Sequence, residues 1–287
     1  DCRIIKPRDM GVTWLILCLY EHAWHFQTDR QILLGSRKED EVDGTTDDGT
    51  AIAKAGEWST LFGKIDFIHL NQPSWLLPRG YEPRQRPFRT SMKLPNPATG
   101  GLFKGESANK NFGRSGRYFS IGFDEHAHTD LAYQIIGSCS ATSDCHFWFS
   151  SPNGPMTGFA MLGRAPIRQI RLEWWMHPEH AQGMVLDPEK GERSRWSPWL
   201  AKAMARIGYD QRLAQNEIWA DESQSGGSWF KGELIDLLVK GNADFPASVR
   251  EPFMVGDLDI RVSPEQGPWV TKFIEQDGGR WKLWTAL

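Results

Sequence analysis

Two neighbouring carboxylates, Asp124 and Glu125, follow a run of bulky and apolar residues, Tyr118-Phe119-Ser120-Ile121-Gly122-Phe123. Such a run suits a buried strand, and acids placed where a strand leaves a sheet occupy the position at which α/β proteins keep their chemistry. In phosphoryl transfer two such acids divide the work: the first holds Mg²⁺ through water and the second activates the attacking water, the pattern of a Walker B element. The same stretch also reads as a strand end with two solvated acids. A phosphate-binding partner elsewhere in the chain is what separates the two readings.

The partner candidate stands at the start of the chain. Residues 3–5 read as the tail of a buried strand, residues 6–13 run Lys-Pro-Arg-Asp-Met-Gly-Val-Thr, and an apolar helix is expected over residues 14–26. Strand, glycine-containing turn and helix is the geometry of a phosphate loop. The common form places lysine just before the hydroxyl residue; here Val12 fills that slot, and Lys6 and Arg8 supply cations at the loop's other end. Backbone N–H groups around Gly11, the Lys6 cation and the Thr13 hydroxyl would still meet the needs of a triphosphate and its Mg²⁺. An ordinary strand-to-helix turn is the competing reading.

The elements that must position these groups follow from the pattern. Strands are expected at residues 31–34, 145–149 and 167–172, with a β-hairpin over 90–94 and 102–104 and helices over 51–70 and 130–141. This alternation predicts an α/β fold with a doubly wound, mostly parallel sheet. Residues 35–50 read as a mobile, acidic surface loop, and prolines 73, 78, 83 and 87 break the connection to the hairpin. After Glu173 the sequence turns Trp-rich, with helical patches at 198–207, 211–218 and 228–238, and a terminal antiparallel pair is expected over 254–262 and 269–284. The domain reading is a core at 1–174, a helical linker or lid at 175–250 and a β segment at 251–287.

At 287 residues there is material for one large domain and a smaller appendage. A net charge of -3 and a pI near 6.3 argue against a broadly basic nucleic-acid coat, so any DNA contact must be local. Four cysteines without paired spacing point to buried thiols in a reducing setting, and no apolar run approaches ~18 residues, so no membrane association and a cytoplasmic location are expected. The chain opens on Asp1-Cys2-Arg3-Ile4-Ile5, which reads like the middle of a strand and suggests a fragment.

Taken in order, Lys-Pro-Arg-Asp-Met-Gly-Val-Thr-Trp, Gly-Ser-Arg-Lys-Glu-Asp from Gly35, Gly-Glu-Ser-Ala-Asn-Lys-Asn-Phe-Gly-Arg from Gly105, Phe-Asp-Glu-His-Ala and Ser-Ser-Pro-Asn-Gly from Ser150 resemble the ATPase half of a tailed-phage large terminase subunit over residues 1–240. The resemblance implies a P-loop NTPase fold of the additional-strand type and an ATP-driven motor that moves double-stranded DNA into a procapsid in the host cytoplasm. It further implies ATP and Mg²⁺ as ligands, and a homo-oligomeric ring on a portal protein together with a small terminase subunit. Carried over by residue, Lys6 resembles the early lysine of the family's deviant Walker A, Arg8 the arginine near the γ-phosphate, and Thr13 the metal-associated hydroxyl, with Gly11 and Val12 completing the loop. Asp124 becomes the metal acid and Glu125 the catalytic glutamate. Ser151 and Asn153 fall in the turn that couples hydrolysis to movement and would contact the nucleotide, with Asn153 as the phosphate sensor, and Arg114 falls where the family has an arginine reaching a neighbouring subunit. The family's adenine-contacting segment is missing upstream, and its nuclease half would begin about where this sequence stops, so DNA cleavage is expected only of a longer protein.

Two other functions stay open: a helicase-like, DNA-stimulated ATPase, and a nucleotide-binding scaffold with little turnover, the latter motivated by Val12. His126, His128, Cys139, Cys145 and His146 lack zinc-ligand spacing and read as local packing. The pair Trp174-Trp175 reads as a buried subdomain hinge. Arg79, Arg84, Arg86 and Arg89 read as a charged loop or as a contact for DNA phosphate or the next subunit.

Overall fold

Apolar strands alternating with helices build one central sheet. In this computed structural model residues 1–44, 58–186 and 195–222 are described, together with the backbone of two later strands. The elements are β1 (Cys2–Ile5), α1 (Val12–Phe26), β2 (Gln31–Ser36), α2 (Glu39–Val42), α3 (Leu61–Asn71), β3 (Lys93–Pro95), β4 (Leu102–Ser107), β5 (Ser120–Asp124), α4 (Ala132–Cys139), β6 (His146–Ser150), α5 (Gly158–Met161), β7 (Arg168–Arg171), α6 (Pro198–Arg206) and α7 (Gln211–Glu217). The sheet order is β3-β4-β2-β5-β6-β1-β7. Every neighbouring pair is parallel except β3–β4, the predicted hairpin. An extra strand, β6, therefore stands between β1, which feeds the phosphate-loop candidate, and β5, which ends on the acids. This is the expected α/β fold of the additional-strand P-loop kind.

Both faces of the sheet are covered, which is why its central strands read as unbroken apolar runs. All four residues of β1 and all five of β5 are buried. Alternation sorts them by face: Ile4, Ile32 and Leu34 join Ile16, Leu17 and Trp24 of α1, while Ile5, Leu33 and Phe123 join Ile135, Trp148 and Phe159. Each large side chain so buried contributes roughly 1.5–3 kcal/mol. A third cluster centres on Trp174, which is fully buried and stacked on Trp199 at 5.7 Å with Leu200, Ala214 and Ile218 around it. The chain divides into two compact units, residues 1–232 and 233–287. The second holds β8 (Leu258–Ser263) paired antiparallel with β9 (Gly267–Phe273).

Three expectations are corrected. The described part of the acidic loop is not merely solvated: Glu39–Val42 forms α2, and Val42 and Asp43 are fully buried. The reason lies in the proline-rich stretch, where Arg89 is also fully buried instead of presenting charge to DNA. Its Nη2 donates to Asp43 Oδ1 at 2.7 Å and its Nε to Asp66 Oδ1 on α3 at 3.1 Å. Finally, not all thiols are buried, because Cys18 lies on the exposed face of α1. The helix expected over 51–70 begins at Leu61, where the Thr60 side chain caps it by accepting from the Gly63 N–H at 2.8 Å. Residues 45–57, the helix expected at 228–238 and the end of the terminal pair, 274–284, lie outside the described residues.

Candidate active site

Parallel register brings the chemistry to one edge of the sheet. Asp124 pairs with Phe149 and Phe149 with Ile4, so β5, β6 and β1 end side by side. The loop leaving β1 is tied to that edge by the Lys6 N–H, which donates to the Ser150 carbonyl at 3.1 Å. It then turns into α1 through Gly11 at φ 71°, a left-handed conformation that costs a residue with a Cβ roughly 1 kcal/mol or more. No side chain caps the start of α1, and no acid lies in its first turn. Its leading N–H groups and positive dipole end are thus available to an anion.

The loop and the acid pair meet. Thr13 Oγ1 donates to Asp124 Oδ2 at 2.7 Å, and Lys6 Nζ lies 3.6 Å from Glu125 Oε1. They line a cavity of 510 Å³ into which Arg8, Gly11 and Val12 also face. Glu125 itself holds φ 53°, an unusual conformation for a non-glycine residue and a form of strain that gathers at functional sites. Its other carboxylate oxygen lies 3.5 Å from Ser150 Oγ and 3.7 Å from His128 Nε2.

Burial governs the electrostatics. Desolvation pushes the Asp124 carboxyl up to about 6, with Lys6 opposing the shift and Glu125 adding to it. Its ionised form therefore wants more positive charge than Lys6 supplies. Oxygen donors from Thr13 and Asp124, 2.7 Å apart at the cavity wall, suit a hard cation such as Mg²⁺. The residues present fit that ion, and Thr13 and Asp124 would hold it.

Seven of the residues singled out from sequence thus share one cavity: Lys6, Arg8, Gly11, Val12, Thr13, Asp124 and Glu125. Arg8 is already engaged, its guanidinium ion-paired with Glu217 of α7. Ser151, Asn153 and Arg114 do not line the cavity. Ser151 is buried and hydrogen-bonded to His128 Nε2 at 2.9 Å, one residue relay away from Glu125, whereas Asn153 donates to the Ala127 carbonyl at 3.3 Å. Arg114 is exposed in the turn following β4. His126 is packed among Phe123, Trp148 and Phe159, and burial holds its pKa down to about 3, in keeping with a packing role. Sequence reasoning missed Lys64, which reaches the same cavity from α3, and Glu217 as the partner of Arg8, whereas His128 stands beside Glu125 as a polar neighbour of the acid pair. No local pattern marks Lys64; only the docking of α3 beside α1 brings it in.

A loop–helix anion site facing paired acids across an additional-strand sheet defines a P-loop nucleotide-binding fold. No protein-family model matches the sequence, and no curated protein sequence matches it. Among solved structures, the chain is similar to the large terminase ATPase domain of Thermus phage P74-26, with a TM-score of 0.50, 14% identity, and 77% of this chain and 88% of that one covered. It is also similar to the large terminase of bacteriophage HK97 (TM-score 0.48, 13% identity, 83% and 50% covered) and to the large terminase of a thermophilic bacteriophage solved in complex with ADP (0.47, 12%, 76% and 47%). The chain spans about half the length of those two terminases. At such identities the P74-26 likeness shows a shared fold, and the two with TM-scores below one half add no weight. The fold is that of a phage large-terminase ATPase domain.

Proposed function

We propose that this chain hydrolyses ATP at the Lys6–Glu125 cavity and uses the energy to translocate double-stranded DNA into a viral procapsid. The observation that carries the reading is the double contact across the site, Thr13 to Asp124 and Lys6 to Glu125, which joins a phosphate loop to an acid pair. The leading N–H groups of α1 bind the phosphates, and Lys6 neutralises charge on the transferring group. Glu125 orients water for in-line attack and accepts its proton, while Arg8 lies at the same wall. Mg²⁺, when bound, supplies the positive charge that the β- and γ-phosphate oxygens require. At 3.6 Å the Lys6–Glu125 pair is loose enough for phosphate oxygens to capture the ammonium and leave Glu125 to the water.

In this reading the chain works as one subunit of a homo-oligomeric ring on a portal protein, served by a small terminase subunit, in the host cytoplasm and transiently on the procapsid. Ser151, in the turn beyond β6, carries the state of Glu125 outward through His128, and Asn153 joins the same segment through the Ala127 carbonyl. The test is Glu125→Gln. Loss of a general base typically costs 10²–10⁴-fold, so ATP turnover should fall about a hundredfold or more while ATP affinity stays within roughly threefold. Near-normal turnover would sink the assignment. A wild-type chain that binds ATP without turning it over, even with DNA present, would favour a nucleotide-binding scaffold.

A further inference from the structure

Away from the nucleotide cavity, α1 and α3 meet across a polar cluster that the proposed hydrolysis does not use. Glu21 and His25 stand one turn apart on α1 and so share a face. His69 of α3 closes on them, its Nε2 lying 2.9 Å from Glu21 Oε2, while His25 Nε2 lies 3.4 Å from the same oxygen. All three ligand atoms fall within 4.8 Å of one another. The side chains are 4% exposed or less, so the cluster is almost dry.

We propose that Glu21, His25 and His69 bind one divalent transition-metal ion of the zinc class, stapling α1 to α3. Four observations carry it. First, tetrahedral zinc with ligand bonds near 2.0–2.1 Å separates its ligand atoms by about 3.3 Å, close to the 2.9 and 3.4 Å from Glu21 Oε2 to the two imidazoles. Second, Glu21 Oε1 is buried without a hydrogen-bond partner among the described residues, an expensive state for a carboxylate oxygen that a cation relieves. Third, His69 Nδ1 is held by the Tyr81 hydroxyl at 2.7 Å, which aims Nε2 at Glu21, the outer-shell arrangement of ligating histidines. Fourth, Gln72 Oε1 lies 2.9 Å from His25 Nε2, an uncharged oxygen beside the cluster that a metal ion could recruit. Two imidazole nitrogens with a carboxylate oxygen suit zinc over Mg²⁺, and side chains so little exposed suit a structural ion.

The staple would matter to the nucleotide site. Thr13 lies in the first turn of α1 and Lys64 sits on α3, so fixing one helix on the other fixes both groups at the cavity. The experiment uses the 287-residue chain, stripped with a chelator, kept in excess Mg²⁺ and titrated with Zn²⁺ against a chromophoric chelator. Expected are one equivalent per chain, a rise in Tm, and with Co²⁺ the intense visible absorption of a tetrahedral site. In Glu21→Gln/His69→Gln, affinity should fall more than about 100-fold, beyond the roughly 10–100-fold typical of a lost outer-shell partner. Should that variant not fold, His25→Gln replaces it with the same expected loss of the Co²⁺ spectrum. The proposal is overturned if the wild-type chain binds no equivalent, if the Co²⁺ spectrum is octahedral, or if the variant binds as tightly, which would place the ion on the cysteines. ATP hydrolysis is not the readout, so failure here leaves the proposed motor activity standing and failure of Glu125→Gln leaves the staple standing.

Discussion

An ammonium group held partly out of water next to a second ammonium is unfavourable until an anion joins them. Lys64 is in that position: burial lowers its pKa, the Lys6 charge lowers it further, and only Asp124 opposes. Its Nζ now donates to the Ser59 carbonyl at 2.7 Å at the cavity wall. A polyphosphate bound at the start of α1 would give both lysines a partner and release Ser59. A charge-assisted hydrogen bond is worth about 1.5–3 kcal/mol, so Lys64→Met should weaken ATP binding on the order of tenfold or more, with Lys64→Arg recovering part of it. Equilibrium binding of a fluorescent ATP analogue measures this, and an unchanged Kd in Lys64→Met removes the residue from the site. Lys6, Thr13, Asp124 and Glu125 were legible in the sequence because each belongs to a short motif whose geometry is local to a strand end or helix start. Lys64 was not, because nothing within α3 distinguishes it from a solvated surface lysine.

Elements here are held together by charge as well as by apolar packing. Arg89 joins three of them, donating from Nη2 and Nη1 to Asp43 just after α2, from Nε to Asp66 on α3, and from Nη1 to its own neighbour's carbonyl at the edge of the β3–β4 hairpin. Its guanidinium also lies 4.7 Å over the Phe62 ring. Burial alone would lower the Arg89 pKa, and the two carboxylates more than offset it; Asp66 is itself held above its ordinary value by burial. Removing the cation would leave two carboxylates buried without charge compensation. Arg89→Met should therefore cost about 3–5 kcal/mol, read as a lower denaturant midpoint. The triple change Asp43→Leu, Asp66→Leu, Arg89→Met should be far milder than the single change, because replacing a whole buried ionic cluster by apolar groups is often near neutral. A single variant as stable as the parent would show that the cluster contributes nothing net. The sequence concealed this clamp for a physical reason: the acids and the arginine are far apart along the chain, and α3 must dock before they meet. Strands β1, β5 and β6 and helix α1 were readable because each is a self-contained apolar run with the period of its own structure.

On the scale of the assembly, the cavity of a single chain already contains loop, acids and two lysines, while Arg114 stands outside it on an exposed turn. In the proposed ring, an exposed arginine placed after β4 would serve hydrolysis by entering a neighbouring subunit's cavity, which requires head-to-tail contacts of the kind that close into rings. Overall charge is compatible with the proposed motor: at -3 the chain is no general polyanion binder, so any DNA contact would be local. An arginine supplied in trans is worth roughly 10³–10⁵-fold in related phosphoryl transfers. Under assembly conditions with DNA, Arg114→Ala and Glu125→Gln chains should each be nearly inactive, the first for want of the finger and the second for want of the base. Mixed in equal amounts they should regain activity, because an Arg114→Ala chain keeps its own Glu125 and can receive Arg114 from a Glu125→Gln neighbour. With random mixing about half the subunits keep the base and about half of those have a competent neighbour, so recovery should approach about a quarter of wild type. Steady-state ATPase of the mixture decides the matter: no recovery, with each variant still assembling, would mean that Arg114 acts within its own chain or not at all.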